Sequence, residues 1–179
     1  MADIGRRIVA TDGAHGLTMR RVANEAGCGL GRIYRMYADR TELVLEIARL
    51  DLPLAAELTA SLHASVGLRD IATNVTAYFD ATVSLPMHVF AREASEDPVL
   101  ANFVRTEITE VGLSPSTALA TYLAAEQAAG RVRPEVDPIG IAAILAAALR
   151  DHVLTQALVV DPTARLTRMV GAVCVAIAT

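Results

Sequence analysis

Apolar residues in this 179-residue chain recur three and four positions apart rather than alternating, which predicts helix throughout and an all-α fold of about nine or ten helices. Ala is abundant and runs of β-branched residues are short, as a helical chain requires. Gly and Pro set the boundaries. The pattern predicts a short first helix over residues 3–11, closed by a turn from Gly13 to Gly16. A second helix runs from Thr18 to Ala26 and is broken by Gly27, and a third runs from Leu30 to Tyr37. Asp39 with Glu42 three residues on has the form of a capping box, so a fourth helix starts at Arg40. Pro53 lacks an amide hydrogen and crowds the preceding turn, so it is expected to kink or end that helix. Further helices are predicted over residues 68–83, 87–94, 98–111, 115–129, 138–159 and 162–177. Pro98, Pro115, Pro138 and Pro162 fall at first-turn positions, preceded by Asp97, Ser114, Asp137 and Asp161 as caps.

The length suits two unequal modules, and the division expected is 1–46 and 47–179. Hydrophobic residues make up 53% of the chain and mean hydropathy is +0.39. Even so, Arg150, Asp151 and His152 interrupt the apolar stretch 139–160, and the stretch 169–178 is too short to span a bilayer, so no membrane-spanning segment or membrane partner is expected. The first residues lack the apolar run of a signal peptide, which points to a cytoplasmic protein. Cys28 and Cys174 stand far apart with no CxxC and no His at ligand spacing. They are read as small buried residues, with no metal site and no cofactor. All 16 basic residues are Arg. Net charge is −4, but it is uneven: residues 1–50 carry eight Arg against six acids, and the remainder eight Arg against fourteen. A positive first module on an acidic body is compatible with a DNA-facing N-terminal part.

The most informative run is Thr18 to Leu43, TMRRVANEAGCGLGRIYRMYADRTEL. A helix-turn-helix needs a small residue where its two helices cross and a Gly about four residues later for the turn, and Ala23 with Gly27 supplies that pair. The packing face then comprises Met19, Val22, Ala23 and Ala26, met by Cys28, Ile33 and Tyr37. Leu30, Gly31, Arg32, Tyr34, Arg35 and Met36 are left facing outward, a surface suited to a major groove.

The segments GLTMRRVANEAG, GRIYRMY and DRTEL, at this spacing, resemble the DNA reader of the TetR family of transcriptional regulators, and the resemblance covers about Ile4 to Leu50. GRVRPEVDP followed by an Ala-rich helix resembles the family's C-terminal half. The resemblance implies a three-helix DNA-binding module on a helical ligand-binding and dimerisation domain. It further implies a non-enzymatic regulator, acting as a repressor, that binds a palindromic operator in double-stranded DNA as a homodimer and is released by a small-molecule effector. Thr18, Tyr34 and Arg40 would hold phosphates, Arg20 and Arg32 would face base edges, and Arg21, Gly31, Arg35 and Met36 complete the implied DNA surface. The chain departs from the family pattern at Gly29 in place of a Ser cap, at Leu30 in place of a polar residue, and at Met36 in place of a frequent His. Its first helix also begins close to Met1, so a basic N-terminal arm is not expected.

A reader this small needs a second copy on DNA, and the last two helices are the expected dimer interface, through Ile141, Leu145, Leu149, Leu166, Met169, Val170, Val173 and Ile177. Tyr78, Phe79, Met87, His88, Phe90, Phe103, Tyr122, His152 and Gln156 are the candidate effector contacts. Two other readings stay open. One is a dimer of this fold whose reader is degenerate, motivated by Leu30, Met36 and the short first helix. The other is a small helical enzyme, against which stand dispersed His residues and the absence of GxSxG or a Gly-rich phosphate loop. Glu93, Glu96 and Asp97 cluster, but beside Pro98 they read as a capped, solvated loop.

Overall fold

The computed structural model describes residues 1–86, 90, 93–155 and 158–179, and these are helical with short connections. Helix α1 spans Ala2–Gly16, α2 Met19–Glu25, α3 Leu30–Met36, α4 Arg40–Ala64 and α5 Ile71–Val83. A 3₁₀ turn at Glu93–Ser95 leads into α6 (Pro98–Phe103), which passes directly into a π-helical turn over Val104–Thr109. Helices α7 (Pro115–Ala128), α8 (Pro138–Thr155) and α9 (Pro162–Ile177) follow.

The cap-then-Pro starts form as the sequence predicts. The Asp97 carboxylate accepts from the amides of Val99 and Leu100 at 2.8 and 3.3 Å, and Ser114 accepts from Thr117 at 3.2 Å. Asp137 accepts from Ile139 and Gly140 at 3.0 and 3.1 Å, and Asp161 from Ala164 at 2.9 Å. Each satisfies amides that the first helical turn leaves without a partner. Other boundaries shift. Helix α1 continues to Gly16, interrupted at Gly13 with φ +71°. Helix α5 starts three residues later than predicted because Gly67 turns the chain with φ +76° and Asp70 caps the helix through the Thr73 amide at 2.8 Å. Pro53 does not end α4, which continues to Ala64. The single helix predicted over 98–111 divides into α6 and the π turn, closed at Gly112 with φ +81°.

The chain forms two compact units, one of residues 1–54 with 84–107, the other of residues 55–83 with 108–179. The chain changes unit inside a helix twice, after Leu54 in α4 and after Glu107 within the π turn. In the first unit Ile8, Leu17, Val22, Ile33, Tyr37, Leu43 and Ile47 form a core that also takes in Phe90 and Leu100. Helices α1 and α4 approach closely at Gly5, where a Cβ would lie 2.6 Å from Ile47 Cδ1. Arg6 reaches the fully buried carboxylate of Asp51 at 2.7 Å. The second unit packs α7 and α9 against α8, with α5 meeting α8 and α9, around Phe79, Leu119, Tyr122, Leu123 and Leu145, to which α9 adds Leu166, Val170 and Cys174. Gln127 donates to the carbonyls of Arg133, Pro134 and Val136 and so holds the GRVRPEVDP loop, while Val132 pairs with Ala178.

The expectation of no segment able to span a membrane needs correction on composition: among the described residues, α8 has 18 residues of mean hydropathy 1.3 and qualifies by length. Part of its apolarity is used in packing, since Ala142, Leu145, Ala148 and Leu149 are buried within the unit, while Ile139, Ile144 and Leu154 stand exposed.

Candidate nucleic-acid interface

Helix α2 starts where the Thr18 hydroxyl accepts from the Arg21 amide at 3.2 Å. It ends in two bonds that satisfy its last carbonyls, Gly27 amide to Asn24 carbonyl at 3.1 Å and Cys28 amide to Ala23 carbonyl at 3.0 Å. Gly27 has φ +61°, the left-handed turn for which Gly is the inexpensive residue. Helix α3 begins at Leu30 behind Gly29, which offers no side-chain cap. Val22, Ala23, Ile33 and Tyr37 are buried at the crossing. Burial, followed by the neighbouring Glu46, pushes the Tyr37 hydroxyl up to about 12, so it stays a neutral packing group.

The outer face carries Gly31, Arg32, Tyr34, Arg35 and Met36 on α3 and Thr18 and Arg20 at α2, all exposed. Leu30 departs from its expected outward position: it is partly buried against the unit's core. A Cβ at Gly31 would meet nothing within 4 Å, so no packing requirement of the fold dictates Gly there.

The arginines of this module divide by what holds them. Among the described residues, no hydrogen bond or ion pair engages the guanidinium of Arg20, Arg32 or Arg35. Arg21, by contrast, is paired with Asp12 and donates to Glu25 at 3.1 Å; these carboxylates hold its pKa above the ordinary value. Arg40 donates from Nε to the Leu17 carbonyl at 2.9 Å and from Nη2 to the Ala14 carbonyl at 2.9 Å. It also grips both oxygens of Glu93, at 2.6 and 3.0 Å. Arg21 and Arg40, both expected at the DNA surface, are thus each engaged by carboxylates of the chain itself. Glu93, which completes the arrangement, lies 53 positions from Arg40 and no local pattern pointed to it.

Beyond the reader, the expected sets separate. Tyr78, Phe79 and Tyr122 are buried in the second unit, whereas Phe90 and Phe103 are buried in the first; Met87, His88 and Gln156 lie outside the described residues. The Tyr122 hydroxyl accepts from Asn74 at 2.9 Å, and burial together with the nearby Glu126 carboxylate raises its pKa strongly. Arg131 lies 3.5 Å from the fully buried Glu126. The His152 ring lies 3.2 Å from the Pro162 carbonyl, beside an Arg165–Asp151 ion pair at 2.7 Å, in an open crevice between α8 and α9. Of the expected dimer residues, Leu145, Leu149, Leu166, Val170 and Ile177 are at most 3% exposed in the single chain, so its own core consumes them. Ile141, Met169 and Val173 are partly exposed. The faces of α8 and α9 turned outward carry Ala143, Ile144, Ala147, Arg150 and Leu154, and Thr167, Arg168, Ala172, Val175 and Ala176.

Fold and interface together define a helix-turn-helix on an all-helical body. The chain has the fold of the TetR-family transcriptional regulators. No family model matches it. It is 27% identical over 134 residues to the HTH-type transcriptional repressor AcnR of Corynebacterium jeikeium (strain K411), covering 74% of this chain and 66% of that protein. The chain thus spans slightly less than two thirds of that relative's length. A TetR-family regulator from Agrobacterium tumefaciens superposes with a TM-score of 0.75 at 21% identity, over 99% of this chain and 95% of the other. A protein from Saccharomonospora viridis described as a transcriptional regulator, solved in complex with choline, superposes with a TM-score of 0.73 at 15% identity, over 96% and 91% of the two chains.

Proposed function

We propose that the chain is a non-enzymatic, ligand-responsive transcriptional repressor of the TetR type, acting in the cytoplasm, that binds a palindromic operator as a homodimer and is released by a small-molecule effector. The observation that carries this reading is the outer face of α2 and α3, where Arg20, Arg32, Arg35 and Tyr34 stand exposed with the three guanidiniums unpaired among the described residues. Unpaired guanidiniums are suited to bridging guanine O6 and N7 or to neutralising phosphates. In this reading Arg20 and Arg32 face base edges, Thr18 and Tyr34 contact phosphates, Arg35 and Met36 flank the groove, and Gly31 lets the backbone come close.

Two readers must stand about 34–36 Å apart to engage successive major-groove turns, so a second copy is required. The outward residues Ile144, Ala147 and Leu154 of α8 and Ala172, Val175 and Ala176 of α9 form the proposed partner face, bordered by Ile141, Met169 and Val173. Small residues there allow helices to approach closely, while Val175, 80% exposed, and Ile144, 54% exposed, supply the apolar area. The effector is assigned to the helical body. The buried hydroxyls of Thr59 and Thr82 lack a well-formed hydrogen bond and lie beside the Tyr78 hydroxyl, which makes them suitable polar anchors for a small ligand. An effector that binds one arrangement of the body better shifts the population and so changes the spacing of the readers.

A gel-shift assay on the DNA upstream of the protein's own gene tests the proposal. Binding that weakens steeply with salt, by about 0.9 in log–log slope per phosphate contact, is the expected result. A folded dimer that shifts no DNA at low salt would instead support the degenerate-reader alternative.

A further inference from the structure

We propose that Arg40 and Glu93 form a brace that positions the DNA reader, and that Arg40 is not itself a phosphate contact; the assignment rests on the DNA-reading function proposed above. A guanidinium has five N–H groups, and four of those of Arg40 are directed at acceptors inside the first unit. The acceptors are informative. Leu17 immediately precedes Thr18, the residue that caps α2, and Ala14 lies in the last turn of α1. One side chain at the start of α4 therefore fixes the α1–α2 corner and, through both carboxylate oxygens of Glu93, ties that corner to the segment 84–107. Arg40 and Glu93 are 36% and 30% exposed, shielded enough for a two-point ion pair to hold a geometry.

The segment bearing Glu93 is fastened to α4 at further points. The Thr41 hydroxyl donates to Asp97 at 3.0 Å while the other oxygen of Asp97 caps α6, so one carboxylate both starts α6 and docks it. Arg49 makes a two-point contact with Glu107 at 2.8 and 3.1 Å, its guanidinium carbon 5.6 Å from the centre of the Phe103 ring. Phe90 and Leu100 of the segment enter the reader's own core. The segment 84–107 is therefore a structural part of the reader although it is remote in sequence, and Glu93 is its link to Arg40. A displacement of Glu93 would be transmitted through Arg40 to the Leu17 carbonyl, and from there to the start of α2 and Arg20.

The test measures binding of the full chain to a fluorescein-labelled short duplex of mixed sequence, by anisotropy across a range of salt. Arg40→Lys keeps the charge but cannot reach four acceptors at once, and is expected to weaken binding about tenfold with an unchanged salt slope. Glu93→Gln is expected to do the same, and the double variant to be no weaker than either single one, as befits one shared interaction. Thermal unfolding checks that each variant is folded; if Arg40→Lys is not, the near-isosteric Glu93→Gln carries the test. Wild-type affinity in Arg40→Lys would overturn the brace. So would tighter, more salt-sensitive binding in Glu93→Gln, because Glu93 would then be competing with phosphate for Arg40. Absence of any salt-dependent binding by the wild type would overturn the DNA reading and this assignment with it.

Discussion

Helices α2 and α3 bury one narrow face and leave cations outside, whereas α8 and α9 bury apolar residues and expose apolar ones as well, alongside Arg150, Thr167 and Arg168. At the reader, Val22 and Ile33 are fully buried while Arg20, Arg32 and Arg35 stand outward, so inside and outside differ in chemistry. On the terminal pair, Leu145 is fully buried and its neighbour Ile144 is 54% exposed, with no change of residue class between them. The surface proposed for DNA is thus set off by its own composition. A surface for a second copy of the chain resembles the core behind it, and only the packing tells the two apart.

The largest effect expected separates those two layers of the terminal pair. Leu145→Asp places a carboxylate in a site with no exposure and should leave the chain unfolded, since even Leu→Ala at such a site costs about 2–5 kcal/mol. Val175→Asp, at an 80% exposed position, should change the stability of the single chain by no more than about 0.5 kcal/mol. It should nevertheless turn a dimer into a monomer in sedimentation and reduce DNA binding with it. A dimer that survives Val175→Asp would place the partner face elsewhere.

At the reader the effects are smaller and of opposite kinds. Arg32→Ala should relax sequence preference, costing about 1–3 kcal/mol of discrimination at one base pair, with thermal stability unchanged. Gly31→Ala should raise stability by about 0.5–1 kcal/mol, because the added methyl meets nothing within 4 Å and helical Gly is entropically costly. It should weaken DNA binding at the same time if the backbone approaches the duplex there. A gain in stability without loss of binding would remove Gly31 from the interface.

The reach of sequence reasoning follows the same division. The cap-then-Pro starts and the Ala23–Gly27 turn were legible because each is local: an Asp or Ser side chain satisfies amides two or three residues on, and Gly27 permits one left-handed residue. The intramolecular partners of Arg21 and Arg40 were not legible, because a motif fixes where a side chain starts and not what it reaches. Glu93 and Asp97 read as a solvated loop in isolation, yet both dock on α4, more than 50 positions away in the chain. The π turn at Val104–Thr109 contains no Gly or Pro, so nothing in the residue pattern marks it. The candidate effector aromatics were chosen for residue type, and residue type does not distinguish a ligand contact from the packed ring of Phe79.

The smallest effect concerns how firmly the segment 84–107 is held to the reader. The Arg49 guanidinium, by hydrogen bonding and charge, keeps the Glu107 carboxyl below its ordinary value. A carboxylate with a depressed folded-state pKa contributes stability that is complete above its unfolded value, about 4.3, and that disappears as pH falls through the folded value. Both side chains are substantially exposed, at 52% and 37%, so the contribution should stay below about 1 kcal/mol and shrink with added salt. Comparing wild type with Arg49→Met by thermal unfolding should therefore give a small gap near pH 7 that closes as pH is lowered below about 4. A gap that persists into acid and at high salt would mean that Arg49 acts through its packing over Phe103 rather than its charge. The segment would then be joined to α4 at that point by apolar contact, as it is at Phe90 and Leu100, and the charge-based fastening would reduce to the contacts made by Glu93 and Asp97.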